Sequence, residues 1–295
     1  SMAATATCSG RAPWAGIALL PTSFLAFNPP MLVVAYAWAL VGLPILAGLM
    51  LGWAALGRLL KWMLFAAPWA LLLNIWWLVP LALSFTGGGS AVANADFTDP
   101  TAWSWSQAQN KIPNILTLVA NWAWVKPQYL PFAADLDASW LVWARYLIPA
   151  LVFLAPVLAI KKLRRSALIL VGMSLVFVFL AKGLQPPFKQ ANLFLYNHVP
   201  GFWLCREPMS KLGQLLVIFF AMLFAILLDS VGRRWREHRT TGNRAIAIAS
   251  WSALIVVVLQ PYPLWTGSVI PDARPMQPSA HVRVPQFWRD MATFV

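Results

Sequence analysis

Charged residues are scarce in this 295-residue chain, making up 11% of it, whereas soluble domains contain about 25%. Acidic residues are the rarer kind, with 9 Asp and Glu against 22 Lys and Arg. Together with a hydrophobic content of 60%, these counts exclude a disordered chain, a coiled coil and an ordinary soluble domain.

Cysteine and histidine are also few. Cys8 and Cys205 provide no disulfide framework and no metal-binding spacing. The histidines are too scattered for a metal site, at His198, His238 and His281. No Gly-rich loop precedes a helix with Lys and Ser or Thr, which disfavours an ATPase. We therefore predict neither a metal nor a cofactor.

Hydrophobic residues are concentrated in stretches of about 17 to 25 residues, the length that crosses a roughly 30 Å hydrocarbon core. The sequence therefore predicts an all-α, polytopic transmembrane helix bundle with helical outward loops. Seven spans are expected, the first weakened by Pro21. They cover 13–27, 31–56, 62–84, 140–160, 167–182, 209–229 and 245–262. Acidic residues are missing from them except Asp229 near an end, so a proton-coupled transporter would lack its usual carriers.

Three links between the spans are basic, at 57–61, 161–165 and 233–244. They alternate along the chain with two long outward loops, 85–139 and 183–208. Because basic residues collect in cytoplasmic loops, the links are predicted to be cytoplasmic in a multi-pass protein of the cell membrane. This topology explains the net charge of +13, and no nucleic-acid partner is predicted.

The first outward loop is rich in tryptophan, asparagine and aspartate. Aromatic faces stack on sugar rings while amides and carboxylates hold hydroxyl groups, so this composition suits sugar binding. The candidate sugar-binding residues are Trp103, Trp105, Trp122 and Trp124. The alternative is a loop that packs on the membrane surface through its indole rings.

The second outward loop has features of an anion site. Pro208 is suited to the first position of a helix, whose free N–H groups would attract a phosphate. Arg206 and Lys211 flank this position, and His198 and Lys189 would complete a donor-phosphate pocket.

A structural interpretation of the same residues is also open. In it, Arg206 pairs with Glu207 and caps the helix, while Lys211 extends toward the membrane surface. Arg145, inside the fourth predicted span, either extends toward the surface in the same way or contacts a second lipid phosphate.

Three segments carry a family resemblance: Asn74-Ile75-Trp76-Trp77-Leu78-Val79-Pro80, Tyr196-Asn197-His198-Val199-Pro200-Gly201-Phe202-Trp203, and Arg206-Glu207-Pro208. With the Trp-rich loop, they resemble the polytopic GT-C glycosyltransferases. The chain is most similar to the N-terminal membrane region of the large actinobacterial alpha-(1→3)-arabinofuranosyltransferases. The resemblance covers most of residues 20–295.

This resemblance implies a membrane enzyme that uses a polyprenyl-phosphate sugar as donor and a cell-envelope glycan as acceptor. Basic residues hold the donor phosphate, a role that would fall to Arg206, Lys211, Lys189 and His198. A carboxylate in an outward loop deprotonates the acceptor hydroxyl, and the sugar is transferred with inversion.

The chain departs from the family pattern at the catalytic base. The family's base usually lies in the first outward loop, which here is Asn28-Pro29-Pro30. The expectation is therefore an internal piece of a longer protein, with a transmembrane region over 1–262 and a truncated extracytoplasmic segment over 263–295. If the base lies within this chain, it must be Asp96, Asp99, Asp135, Asp137 or Glu207, with Glu207, Asp135 and Asp137 as the first candidates. Otherwise the base lies outside this chain.

Two other functions stay open at this point. A transporter or flippase of lipid-linked saccharide would need the anion site but no carboxylate. A non-catalytic assembly subunit would use its outward loops to dock partners.

Overall fold

The computed structural model describes residues 38–86, 99, 101–126, 129–138, 141–199, 202–237, 240–262, 265, 286, 290–291 and 293. This part of the chain is all-helical, without a strand, as the sequence predicts. Its α-helices are α1 (Leu43–Leu51), α2 (Trp53–Thr86), α3 (Ile112–Leu116), α4 (Pro131–Ala138), α5 (Leu141–Ala144), α6 (Leu147–Leu158), α7 (Lys161–Ala181), α8 (Lys189–His198), α9 (Pro208–Glu237) and α10 (Thr241–Leu259). A π-helix (Trp38–Gly42) precedes them, and short 3-10 helices lie between them, at Ser104–Gln107, Trp122–Val125 and Phe202–Cys205.

Four of the described helices are long and apolar enough to cross a membrane: α2 over Trp53–Trp76, α7, α9 and α10. A fifth apolar stretch, Val142–Leu158, is shorter. The expected number of seven spans is therefore not confirmed. The predicted span 13–27 and most of 31–56 lie outside the described residues.

The first interruption between long helices lies at a different position from the one predicted. A single span was expected over 31–56 and a basic link over 57–61, but the helix is interrupted at Gly52. The φ angle of Gly52 is 90°, a conformation that glycine adopts without a steric penalty. Arg58 and Lys61 lie inside α2, because Arg and Lys are good helix formers and give the chain no reason to break there.

The other basic links also belong to helices. Residues 161–165 form the first turns of α7, and Arg233 to Glu237 form the last turns of α9. Long basic side chains can extend from a helix end into water, so no loop is needed to hold them. The predicted span 140–160 is divided at Arg145 and Tyr146 into the short helices α5 and α6.

The hydrophobic core lies where α6, α7 and α9 pack together. Trp38 meets Phe177 edge-on at 5.4 Å and Phe219 at 5.1 Å, so the π-helix is joined to α7 and α9. Edge-to-face contacts of this kind add to the stabilisation from apolar burial.

The two ends of the bundle are marked by hydrogen bonds. At one end, the backbone N–H of Ile160 donates to Ser230 Oγ (3.2 Å), and Arg234 Nη2 donates to the carbonyl of Ala159 (3.3 Å). The basic segments of α7 and α9 therefore share this end. At the other end, Asn110 Nδ2 donates to the carbonyl of Ala181 (2.7 Å) at the end of α7. The N–H of Leu184 donates to Gln107 Oε1 (2.7 Å), so the two predicted outward loops meet at this end.

Helix α8 lies at this outward end and is amphipathic in an inverted sense. Its buried side chains are Asn192 and the tyrosine Tyr196, whereas Phe194 is 56% exposed. Phe188, just before the helix, is 74% exposed. The exposed face of α8 is mixed, since Lys189, Gln190, Asn197 and His198 are exposed together with Phe194.

Candidate functional site

Gln107 is the residue that joins the outward loops. Its side chain is fully buried, Nε2 donates to the carbonyl of Arg206 (3.0 Å), and Oε1 accepts from the N–H of Leu184 (2.7 Å). Its own carbonyl accepts from Gln185 Nε2 (3.0 Å). One side chain and its backbone thus hold three segments that are distant in sequence.

Gly183 makes this arrangement possible. Its φ angle is 56°, and a Cβ at this position would overlap Oε1 of Gln107. A residue with a side chain would therefore suffer both backbone strain and a steric clash. The sequence analysis did not identify Gln107 or Gly183, although a glycine directly after an apolar helix is a recognised helix-end signal.

Arg206 is held in place through both its backbone carbonyl and its guanidinium group. Its carbonyl accepts from Gln107 Nε2 and from Ser106 Oγ (3.2 Å). Its guanidinium group lies over the ring of Trp103, 4.0 Å from the ring centroid. This cation–π contact orients the guanidinium without neutralising its charge.

From this contact an aromatic row extends along the first outward loop. We use the name aromatic row for Trp103, Trp105, Trp122 and Tyr129. Consecutive ring centroids are 6.0, 5.3 and 5.1 Å apart. Trp105 is 52% exposed, so part of the row is accessible. The structure therefore brings three of the four predicted sugar-binding tryptophans together and next to Arg206.

Lys211 and Glu207 form an ion pair one turn apart. Lys211 Nζ lies 3.1 Å from Glu207 Oε2, and the Lys211 side chain is only 4% exposed. Ser210 Oγ donates to the same carboxylate oxygen (3.2 Å). Glu207 thus pairs with Lys211, whereas the structural interpretation of the sequence paired it with Arg206.

The two remaining residues of the predicted phosphate pocket are less closely associated with it. Lys189 and His198 are exposed at opposite ends of α8. His198 Nδ1 lies 3.0 Å from the carbonyl of Phe194, and its ring stacks on Phe194 at 4.2 Å. In the described part of the chain no contact joins Lys189 or His198 to Arg206 or Lys211.

Asp137 belongs to a second polar group. Its Oδ1 accepts from Arg145 Nη1 (2.7 Å) and its Oδ2 from Trp124 Nε1 (2.9 Å). Trp124, the fourth predicted sugar-binding tryptophan, is therefore a partner of a carboxylate here. Asp135 lies in the same helix, α4, but its side chain is outside the described residues. Arg145 thus pairs with a carboxylate, where the sequence analysis expected it to extend toward the surface or to contact a lipid phosphate.

Lys182 is a buried cation that the sequence analysis missed. It is 1% exposed, and its Nζ donates to the carbonyl of Gln185 (2.9 Å) while lying 4.8 Å from the ring centroid of Phe179. Burial lowers the pKa of Lys182 because it disfavours the charged form. Lys182 directly follows the last apolar residue of α7, and this position in the sequence could have indicated a functional cation.

Tyr196 and Cys205 stabilise the turn before Arg206. The Tyr196 hydroxyl donates to the carbonyl of Cys205 (2.8 Å), and both side chains are buried. Burial raises the pKa of the Tyr196 hydroxyl, and it raises the pKa of the Cys205 thiol to about 11. Both groups are therefore neutral near pH 7 and act through packing and hydrogen bonding.

Within the described ranges, no group of three or more His, Cys, Asp and Glu side chains is placed to hold a metal ion. In comparisons with known proteins, the chain matches no family model, no curated protein and no solved structure. The described residues thus define a class, a helical protein with helices long and apolar enough to cross a membrane. A proposal about its function depends on the residues of the candidate site.

Proposed function

We propose that this chain is the membrane region of a GT-C-type glycosyltransferase. It would transfer a sugar, of the arabinofuranose class, from a polyprenyl-phosphate donor to a cell-envelope glycan. The observation that carries the proposal is the guanidinium of Arg206 fixed over Trp103 at the beginning of the aromatic row. A charge that binds phosphate and a surface that binds sugar are thereby adjacent.

The donor phosphate would bind at Arg206. Arginine presents five N–H donors in a planar fork that matches two phosphate oxygens. The first N–H groups of α9 add positive potential next to Arg206, whereas the charge of Lys211 is compensated by Glu207. The polyprenyl tail of the donor would remain among the apolar helices, so the phosphate reaches the site at headgroup depth.

The sugars would stack along the aromatic row. A pyranose or furanose ring presents C–H groups that pack against an aromatic face, and Trp105 exposes about half of its surface for such a contact. Because the row begins at Arg206, a sugar on Trp103 or Trp105 would be attached to a phosphate within reach of the guanidinium.

Glu207 is our first candidate for the general base, with Asp137 and Asp135 as the others. In the transfer step, the carboxylate accepts the proton of the acceptor hydroxyl, the hydroxyl oxygen forms a bond to the anomeric carbon, and the bond from that carbon to the phosphate oxygen breaks. Glu207 is adjacent to Arg206, and only its Oε2 is engaged by Lys211 and Ser210.

We further propose that the basic end, with segments 161–165 and 233–244, faces the cytoplasm. Basic residues are retained on that side during membrane insertion. The candidate site, at the opposite end of the bundle, would then face the cell envelope, where a glycan acceptor is available.

The test is binding of a polyprenyl-phosphate sugar to the detergent-purified chain. The variant Arg206→Ala removes the guanidinium, and we expect its affinity to fall at least about tenfold, since a hydrogen bond to a charged group contributes about 1.5–3 kcal/mol. Lys126→Ala is the matched control, because Lys126 is exposed in the first outward loop and its substitution removes the same charge at a distance from the proposed phosphate site. Arg206→Lys should recover only part of the affinity, since lysine lacks the planar fork.

Equal losses in Arg206→Ala and Lys126→Ala would contradict a specific phosphate site. If donor binds but Glu207→Gln and Asp137→Asn both leave transfer intact, the base lies elsewhere. If neither the parent chain nor any variant binds donor, the glycosyltransferase proposal fails and a role in assembly becomes the better account.

A further inference from the structure

The basic end of the bundle carries a dense positive charge. Eight basic and two acidic side chains of the described residues lie in the first turns of α7, the last turns of α9 and the first turn of α10, which is a local net charge of +6. The basic ones are Lys161, Lys162, Arg164, Arg165, Arg233, Arg234, Arg236 and Arg244. The acidic ones are Asp229 and Glu237.

A crevice opens within this end, where α6, α9 and α10 meet. It is a shallow crevice, whose enclosed space is about 10 Å³ and which reaches about 210 Å³ only when the open space at its mouth is counted. Three of the residues that line it are apolar and two are polar. The lining residues are Leu158, Val231, Arg234, Asn243 and Ile246.

Arg234 is the cation of this crevice, and its charge is not balanced by a carboxylate in the described part of the chain. Its hydrogen bond there is from Nη2 to the carbonyl of Ala159, at 3.3 Å. The preceding residue behaves differently, because Arg233 Nε bonds both carboxylate oxygens of Asp229 at 3.0 Å. Arg234 therefore keeps donors for an anion, whereas Arg233 already has one.

The residues around the crevice suit a position near the surface of a lipid bilayer. Trp235, next to Arg234, is 40% exposed, and exposed indole rings favour the boundary between hydrocarbon and water. Ile246, which lines the crevice, is 41% exposed, so part of the apolar lining is accessible from outside.

We propose that this crevice binds an anionic glycerophospholipid, with Arg234 at the phosphate and Leu158 and Ile246 against the first part of an acyl chain. Basic pockets between transmembrane helices on the cytoplasmic side are suited to anionic headgroups. The apolar walls favour a lipid over a free phosphate, because they offer nothing to a fully hydrated ion. This site is at the opposite end from Arg206, so it does not depend on the glycosyltransferase proposal.

The test is lipid binding by the full, detergent-purified chain, measured by native mass spectrometry during titration with phosphatidylglycerol or phosphatidylcholine. We expect preferential retention of phosphatidylglycerol by the parent chain. Arg234→Gln should weaken that retention about tenfold, the loss expected when a charge-assisted hydrogen bond is removed. Arg233→Gln is the matched control, since it removes the same charge one residue away, and we expect less than about a twofold change.

Arg234→Lys tests the geometry of the site and also serves if Arg234→Gln fails to fold. Lysine keeps the charge but not the fork, so we expect an intermediate affinity for phosphatidylglycerol. Glycerol 3-phosphate, added at the lipid concentration, should not displace the bound lipid.

Three results would overturn the proposal. The first is equal retention of phosphatidylglycerol and phosphatidylcholine. The second is an equal loss in the Arg233 and Arg234 variants, which would indicate diffuse attraction to the basic end. The third is displacement by glycerol 3-phosphate, which would assign the crevice to a free phosphate.

Discussion

Replacing Gly183 by alanine tests the junction that positions Arg206. The added methyl group would overlap Oε1 of Gln107, and the φ angle of 56° would place a residue with a side chain in the left-handed region. Gln107 would have to move, and its side chain is completely buried. Its hydrogen bonds to Leu184 and Arg206 would then weaken together.

The expected cost has two parts. The left-handed backbone conformation costs a residue with a Cβ about 1–2 kcal/mol. Loss of the bond between Gln107 Oε1 and the Leu184 N–H would leave a buried donor unsatisfied, at about 1–3 kcal/mol. Gly183→Ala should therefore lower the free energy of unfolding by about 2–5 kcal/mol, since these two costs affect different groups.

Unfolding in mixed micelles with increasing sodium dodecyl sulfate, followed by circular dichroism, measures this loss. Gly172→Ala is the control, because Gly172 lies in the middle of α7 and a Cβ there would have no atom within 4 Å. That variant should be neutral or more stable by up to about 1 kcal/mol, from the higher helix propensity of alanine.

A Gly183→Ala protein as stable as Gly172→Ala would refute the reasoning. A second check is Gln107→Ala in the Gly183→Ala background. Removal of the Gln107 side chain relieves the clash, so the two substitutions should cost less together than the sum of their separate effects.

Two other predictions concern the ion pair between Asp137 and Arg145 and the thiol of Cys205. Asp137→Asn should destabilise the protein by about 1–2 kcal/mol, because it leaves Arg145, whose side chain is 13% exposed, without its carboxylate partner. The control Asp229→Asn breaks an ion pair whose two side chains are 38% and 51% exposed, and it should cost under about 1 kcal/mol. Equal losses in the same unfolding assay would show that burial of Arg145 has no influence. In a Cys8→Ser background, Cys205 should react slowly with maleimide at pH 8, since its thiol pKa is raised to about 11 and it is buried. Fast labelling of the folded protein at pH 8 would contradict the buried position of Cys205. The stability that comes from keeping this thiol neutral should be complete below its ordinary pKa of 9.0 and be lost as the pH rises through about 11.

The all-helical architecture could be predicted from the sequence because it depends on local properties. Long apolar stretches with few charges must satisfy their backbone groups within the helix, whatever lies around them. This reasoning placed predicted spans over α2, α7, α9 and α10, with ends that differ from those of the helices by up to nine residues. It failed at Gly52, where the helix breaks, and at Arg58 and Lys61, where charge was taken as a sign of a loop although Arg and Lys extend a helix readily.

The candidate site was predictable only in part. Arg206, Lys211 and three of the four tryptophans were identified from residue type and position, and the structure brings Arg206 and those tryptophans into one group. The pairing of Glu207 with Lys211 was not predicted, since a carboxylate between two basic residues has two possible partners. The sequence did predict a helix beginning at Pro208, as α9 does, so the spacing of four positions between Glu207 and Lys211 was an available signal that was not used.

Composition and hydrophobic patterning determine that this chain is helical and suited to a lipid bilayer, because both follow from the transfer of each segment out of water. The tertiary structure alone decides that Gln107, Leu184 and Arg206 meet, since they are separated by 77 and 99 positions in sequence. It likewise decides that Arg234 faces a crevice lined by residues of three helices. Contacts between distant segments depend on how helices pack, and no local sequence pattern specifies that packing.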